Sequence, residues 1–179
     1  MKLRYFLSVF ILVMLLATVS ASCALAPGKP IALASFTENF VTVSVSLQHD
    51  PSGSVLLMAT FTPEAGHHLY SKDIPANGLE GLGRPTLLEL AAGSQMIAAG
   101  ELSESVAAQE PDFEPKELLV YPEGSVTLTL PIQLPAGGEW IDDQVKITYM
   151  ACTPYQCKAP VEGKIVPIRI PGAEAFDTQ

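Results

Sequence analysis

The sequence predicts an all-β fold, an immunoglobulin-like antiparallel β-sandwich. Apolar residues alternate with polar ones over several short segments, and 15 prolines and 13 glycines punctuate the chain. No segment carries the 3.6-residue period of a long amphipathic helix. A parallel α/β sheet would need a helix in each crossover, so short strands joined by Pro and Gly turns favour the sandwich.

The clearest strands form a predicted hairpin early in the chain. Residues 40–48 alternate apolar and hydroxyl side chains, residues 50–53 read Asp-Pro-Ser-Gly, and residues 54–62 form a second apolar run. This order is typical of two antiparallel strands joined by a tight turn. Further strands are predicted at residues 67–72, 86–90, 95–101, 125–134, 144–150 and 163–170.

The first 22 residues read as a secretory signal. Lys2 and Arg4 precede a long apolar run, and residues 20–22 are small, which is the layout of a signal peptide. Cys23 follows directly in Ser-Ala-Ser-Cys, which resembles a bacterial lipobox except that Ser20 occupies the usual Leu position. Lipidation of Cys23 and ordinary cleavage near Ala21 or Ala24 both remain open.

The rest of the chain is expected to hold one domain. Residues 23–38 are predicted to be a flexible N-terminal linker, residues 39–171 the domain, and residues 172–179 a tail. The formal charge of the whole chain is -9, and loss of the leader cations Lys2 and Arg4 leaves -11. Such an excess of acid argues against nucleic acid or anionic lipid as a partner, so the only expected membrane contact is an N-terminal lipid on Cys23.

One irregular stretch, residues 103–116, is acidic and contains a single aromatic residue, Phe113. A solvated acidic loop is one interpretation. Long loops on compact domains are often functional lids, however, and an apolar side chain in an acidic loop needs a surface to cover. Phe113 is therefore a candidate lid residue.

Cys152 and Cys157 are the two cysteines left in the predicted domain. A disulfide between them would close a loop of about six residues and contribute only about 2 kcal/mol by chain entropy. A structural disulfide, a redox pair and a metal site are all compatible with the spacing. Metal binding is the weakest, because adjacent His67 and His68 on a strand would point to opposite faces and structural zinc generally needs four ligands; no metal site is predicted.

Reactivity of a cysteine depends on how well its thiolate is stabilised. Lys158 directly follows Cys157 and brings a positive charge close to it. This slightly favours Cys157 as the nucleophile of a redox pair, although the residues alone favour an ordinary solvated lysine as the interpretation of Lys158.

Two motifs resemble a known family. The segment Ile-Thr-Tyr-Met-Ala-Cys-Thr-Pro-Tyr-Gln-Cys-Lys-Ala-Pro at residues 147–160 is similar to the cysteine-bearing hairpin of the N-terminal periplasmic domain of DsbD, the thiol/disulfide interchange protein. The segment Gly-His-His-Leu-Tyr-Ser-Lys at residues 66–72 resembles an aromatic-rich strand of the same family. The looser likeness runs from about residue 40 to residue 170.

The resemblance implies an immunoglobulin-like fold and a redox-active disulfide that needs no cofactor. Cys157 matches the cysteine that forms mixed disulfides with partners, and Cys152 matches the resolving cysteine. Tyr70 and His68 match neighbours of the pair, although the family often has an aromatic residue in place of His68. A family cap loop carries a Phe that shields the cysteines, and Phe113 is the best match to it.

The implied function is a periplasmic electron relay between thioredoxin-like redox proteins and periplasmic disulfide-bearing proteins. Full-length DsbD continues into a membrane domain and a thioredoxin-like domain, whereas this sequence ends soon after residue 170, so a stand-alone module with a separate electron donor is expected. The alternative is a non-catalytic immunoglobulin-like binding module in which the disulfide fixes one hairpin.

Overall fold

The computed structural model describes residues 29–178, and these form two packed antiparallel sheets, as predicted. In chain order the elements are β1 (Ile31–Glu38), β2 (Val41–His49), β3 (Val55–Pro63), β4 (His68–Leu69), β5 (Leu87–Leu90), β6 (Ile97–Ala98), β7 (Ser103–Glu104), β8 (Val126–Gln133), β9 (Trp140–Tyr149), β10 (Ala151–Cys152), β11 (Val161–Pro171) and the short helix α1 (Ala173–Phe176). Across the described range no helix is long and apolar enough to cross a bilayer.

The larger sheet has the order β1-β2-β3-β8, with β6 and β7 both pairing with β8. Alternate residues of β2 face the core because side chains on a strand point to opposite faces in turn. On β2 these buried residues are Val41, Val43, Val45 and Leu47. The hydroxyl residues between them line the outer face, which explains the period of two in the sequence.

The smaller sheet has the order β5-β9-β11 and covers the other side of the core. Phe61 from the larger sheet meets Tyr149 from the smaller one edge to face, with ring centroids 5.8 Å apart. Beyond Tyr149 the chain continues into β10, which pairs with β4 as a separate two-stranded ribbon. This ribbon carries the cysteine hairpin.

The predicted hairpin of β2 and β3 is confirmed. The amide of Asp50 donates to the carbonyl of Ser54 at 2.9 Å, and the amide of Gly53 donates back to the carbonyl of Asp50 at 3.0 Å. Gly53 has a φ of 89°, a left-handed conformation that glycine adopts without steric cost.

Residues 31–38, predicted to belong to a flexible linker, instead form strand β1 on the edge of the larger sheet. Asn39 and Phe40, with φ values of 48° and 65°, connect β1 to β2 in a two-residue hairpin turn. Such turns usually contain Gly. Because Phe40 and not Gly occupies the second turn position, the sequence lacks the residue pattern that would predict this hairpin.

Other predicted strands differ in length from the observed ones. Only His68 and Leu69 of residues 67–72 join a strand ladder, and Tyr70 forms isolated bridges to Pro85 and Val120. Of residues 95–101, only Ile97 and Ala98 form a strand. The predicted tail contains α1, whose buried Phe176 stacks on His49 at 4.2 Å, so this part of the tail is packed against the sandwich.

Candidate functional site

Cys152 and Cys157 form a disulfide across the tip of the hairpin that follows β9. Their Cα atoms lie 4.0 Å apart. Between them, the amide of Thr153 donates to the carbonyl of Gln156 at 2.8 Å, and the amide of Lys158 donates to the carbonyl of Ala151 at 2.9 Å. These bonds close the turn on both sides of the disulfide, so the two cysteines are held in a defined loop.

The two halves of the disulfide differ in exposure. Cys152 is 1% exposed and belongs to a small apolar cluster beside the main core, whereas Cys157 is exposed to solvent. The other buried members of this cluster are Tyr70, Ile74, Leu118 and Val120. A reactant from solution therefore meets Cys157 and not Cys152.

Tyr70 lies against both sulfur atoms. Its hydroxyl donates a hydrogen bond to Cys152 Sγ at 3.1 Å and lies 3.7 Å from Cys157 Sγ. Burial raises the pKa of Tyr70 above its ordinary value, so the phenol stays protonated at neutral pH and remains a donor. A donor at this position favours a thiolate over a thiol when the disulfide is reduced.

The backbone around Tyr70 fixes this orientation. The Tyr70 carbonyl accepts hydrogen bonds from both the hydroxyl of Thr86, at 2.8 Å, and its amide, at 3.3 Å. Gly83 has a φ of 74°, and a Cβ there would lie 3.4 Å from the Tyr70 ring and 2.9 Å from Leu118. A side chain at Gly83 would therefore crowd Leu118, whereas its Cβ would only contact the Tyr70 ring.

His68 lies on β4 directly opposite Cys152 in the two-stranded ribbon. Its ring meets Tyr70 edge to face at 5.4 Å and Phe113 in a tilted contact at 5.5 Å. Its Nε2 atom is buried without a hydrogen-bond partner. Desolvation, and to a smaller degree the neighbouring His67, lower the pKa of His68, so its imidazole is neutral at pH 7.

Phe113 lies beside the disulfide, between two cavities. A cavity of about 270 Å³ lies on the side of Glu110 and Asp112, and one of about 450 Å³ contains both cysteines. Phe113, His68 and Pro154 line both cavities. Residues 109–116, here called the cap segment, are anchored by reciprocal backbone hydrogen bonds between Gln109 and Val120 at 2.8 and 2.9 Å.

In the described structure, the Lys158 ammonium forms no hydrogen bond with the sulfur of Cys157. Its ammonium instead lies 4.4 Å from the centroid of the Phe40 ring. Phe40 also stacks on His67 at 5.1 Å with an interplanar angle of 10°. Lys158 follows Cys157 in the chain, but the contact that its charge makes is with the face of an aromatic ring.

Asn39 and Phe40 are site neighbours that no motif in the sequence indicated. The side-chain amide of Asn39 donates to the carbonyl of Ala159 at 2.8 Å, and Phe40 contacts Lys158. The β1-β2 turn therefore contacts the residues that directly follow Cys157. Two adjacent non-glycine residues with positive φ are uncommon, and such strain is often found at functional sites.

The described residues contain no group of three or more His, Cys, Asp or Glu side chains arranged to hold a metal ion. His67 precedes β4 and His68 begins it, and the two rings have different neighbours, Phe40 and Phe113 respectively. Cys23 and the predicted leader lie outside the described residues.

The chain was compared with protein families, curated proteins and solved structures. The sequence matches no protein-family model and no curated protein. Among solved structures, the reduced N-terminal domain of DsbD from Neisseria meningitidis has 18% sequence identity and a TM-score of 0.45, covering 75% of this chain and 86% of that one.

Proposed function

We propose that this protein is a thiol-disulfide exchange module of the periplasm, in which Cys152 and Cys157 carry two electrons between a thioredoxin-like donor and disulfide-bearing partner proteins. The observation that carries this proposal is the asymmetry of the disulfide. One cysteine is buried under a tyrosine hydroxyl and the other faces solvent.

The asymmetry supports distinct roles for the two sulfurs. In the reduced protein the exposed Cys157 thiolate attacks the disulfide of a partner, forms a mixed disulfide and releases one partner thiolate. The Cys152 thiolate then attacks Cys157 Sγ and releases the second partner thiolate. The partner disulfide gains two electrons, the dithiol loses two, and the reverse sequence reloads the module from a donor.

The surroundings of the pair support controlled exchange. Tyr70 offers a hydrogen bond that favours a thiolate on Cys152. Phe113, which belongs to the cap segment, partly covers the disulfide and restricts the access of reactants to it. We infer that Phe113 limits non-specific exchange until a partner displaces it. No cofactor takes part in this chemistry.

The compartment follows from the sequence. A leader at residues 1–22 would send the chain to an oxidising compartment, where disulfides persist. The charge of -11 without the leader cations favours protein partners over nucleic acid. A lipid on Cys23 would tether the module to a membrane surface.

Trapping of partners tests the proposal. Cys152→Ser should accumulate a mixed disulfide through Cys157 when the reduced domain is mixed with an oxidised, disulfide-bearing partner protein, because the resolving thiol is gone. Cys157→Ser should capture far less, because its remaining thiol is buried. Equal capture by both variants, read by mass under non-reducing conditions, would contradict the assigned roles.

A further inference from the structure

The imidazole of His68 has an unused nitrogen beside the disulfide. Nε2 is buried and has no hydrogen-bond partner, although buried polar atoms normally have one. The ring is held between Tyr70 and Phe113. An unpartnered ring nitrogen at this location needs an explanation in the chemistry of its neighbours.

The nearest neighbour across the ribbon is Cys152. Directly opposed residues of an antiparallel pair project to the same side, with Cβ atoms about 4.5–5.5 Å apart. His68 and Cys152 form such a pair, and both line the cavity of about 450 Å³. The two side chains are therefore adjacent on one face of the ribbon.

The oxidation state of Cys152 explains the missing partner. A disulfide sulfur bears no proton, so an acceptor built for the reduced form has nothing to bind in the oxidised form. Reduction creates an S–H group on Cys152, and that thiol must lose its proton before it can attack, because the thiolate is the nucleophile.

We propose that His68 is the base that takes the proton from Cys152 when Cys152 resolves the mixed disulfide. This inference rests on the proposed exchange function. The proton of the Cys152 thiol passes to His68 Nε2, and the sulfur attacks Cys157 Sγ. The Cys152–Cys157 bond forms, the bond to the partner sulfur breaks, and the partner leaves as a thiolate with the electron pair; His68 then returns the proton to solvent or to that thiolate.

Other groups around His68 are poorly placed for this role. Tyr70 already donates to Cys152 and stays protonated because burial raises its pKa. His67, the preceding residue in the chain, is stacked on Phe40. Across the ribbon, Cys157 is the electrophile of the resolving step.

The cap segment brings three carboxylates near His68. Glu110 and Asp112 line the smaller cavity, and Glu114 lines the larger one. None of the three forms an ion pair or hydrogen bond with His68 among the described contacts. The cost of burying a charge consequently dominates and lowers the pKa of His68, which leaves a neutral imidazole ready to accept a proton at pH 7.

A small aromatic disulfide reagent allows the rates of the two steps of exchange to be measured separately. When the reduced domain reacts with 5,5'-dithiobis(2-nitrobenzoate), attack by Cys157 releases one coloured thiolate, and resolution by Cys152 releases a second. The first phase depends on the reagent concentration, whereas the second is intramolecular and does not. Stopped-flow absorbance measures both.

We expect His68→Phe to slow the second phase by about 100-fold at pH 7 and to leave the first nearly unchanged. The difference in second-phase rate between His68→Phe and the wild type should become smaller as the pH rises beyond about 8.5, because a thiol then ionises without a base. His68→Gln, which is polar but takes up no proton, should behave like His68→Phe. His67→Phe is the matched control and should retain both phases.

A second phase in His68→Phe or His68→Gln with the wild-type rate and pH profile would overturn the role of His68. An equal slowing of both phases that does not depend on pH would do the same, because it would indicate a packing role only. If the wild-type protein itself shows no second phase, the exchange function fails and not merely the assignment of the base.

Discussion

The hydroxyl of Tyr70 donates a hydrogen bond to the buried sulfur of Cys152 at 3.1 Å. The two residues are far apart in sequence, and the pairing of β4 with β10 brings them together. The phenol lies closer to Cys152 Sγ than to Cys157 Sγ, which is 3.7 Å away, and this makes the two ends of the disulfide chemically different. The proposed division of labour between Cys152 and Cys157 rests on that difference.

Tyr70→Phe should slow the resolving step. The change removes the donor to Cys152 but keeps the ring, and a hydrogen bond to a charged group contributes about 1.5–3 kcal/mol. We expect a decrease of about tenfold or more in the rate of the intramolecular phase at pH 7. Tyr155→Phe removes a hydroxyl from a residue that is 96% exposed and should leave the rate unchanged; equal rates for Tyr70→Phe and wild type would contradict the role of the phenol.

Phe113→Ala should open the approach to the disulfide. The ring lies against His68 and lines the cavity that contains both cysteines, so its removal exposes the pair to small reductants. The rate at which glutathione reduces the oxidised domain should rise severalfold. Glu117→Ala, at an exposed position just after the cap segment, is the control and should reduce at the wild-type rate, whereas unchanged kinetics in Phe113→Ala would exclude a capping role.

Phe40 and Lys158 should be energetically coupled. The ammonium lies 4.4 Å from the ring centroid, and an exposed cation-π pair contributes about 0.5–1 kcal/mol. In a double-mutant cycle of Phe40→Leu and Lys158→Met, the free energies of unfolding should depart from additivity by that amount. Denaturant titration of the oxidised domain measures the four values. Additive effects would mean that the contact contributes nothing to stability.

The sandwich was predictable because its evidence is local. The alternation in β2 and β3 and the Asp-Pro-Ser-Gly turn between them depend only on neighbouring residues. Strand β1 was not predictable in this way. Its hairpin turn contains Asn39 and Phe40 without a glycine, and its place on the sheet edge gives it only a partly buried face.

The site was predictable in part. The spacing of Cys152 and Cys157 identified the pair but left three chemical interpretations open, and the family resemblance pointed to Tyr70, His68 and Phe113 as neighbours. The contact of Lys158 with Phe40 depends on a turn more than 100 residues away. Local patterns contain no information about such a contact, so only the three-dimensional structure could reveal it.

The reduction potential of the Cys152–Cys157 pair tests the central claim most directly. The purified domain would be equilibrated in thiol buffers of defined potential and its oxidation state read by thiol alkylation and mass. An exchange module should have a potential between about -270 and -120 mV, the range of known oxidoreductases. A bond that stays oxidised below about -300 mV would contradict the account and indicate a structural disulfide in a binding module.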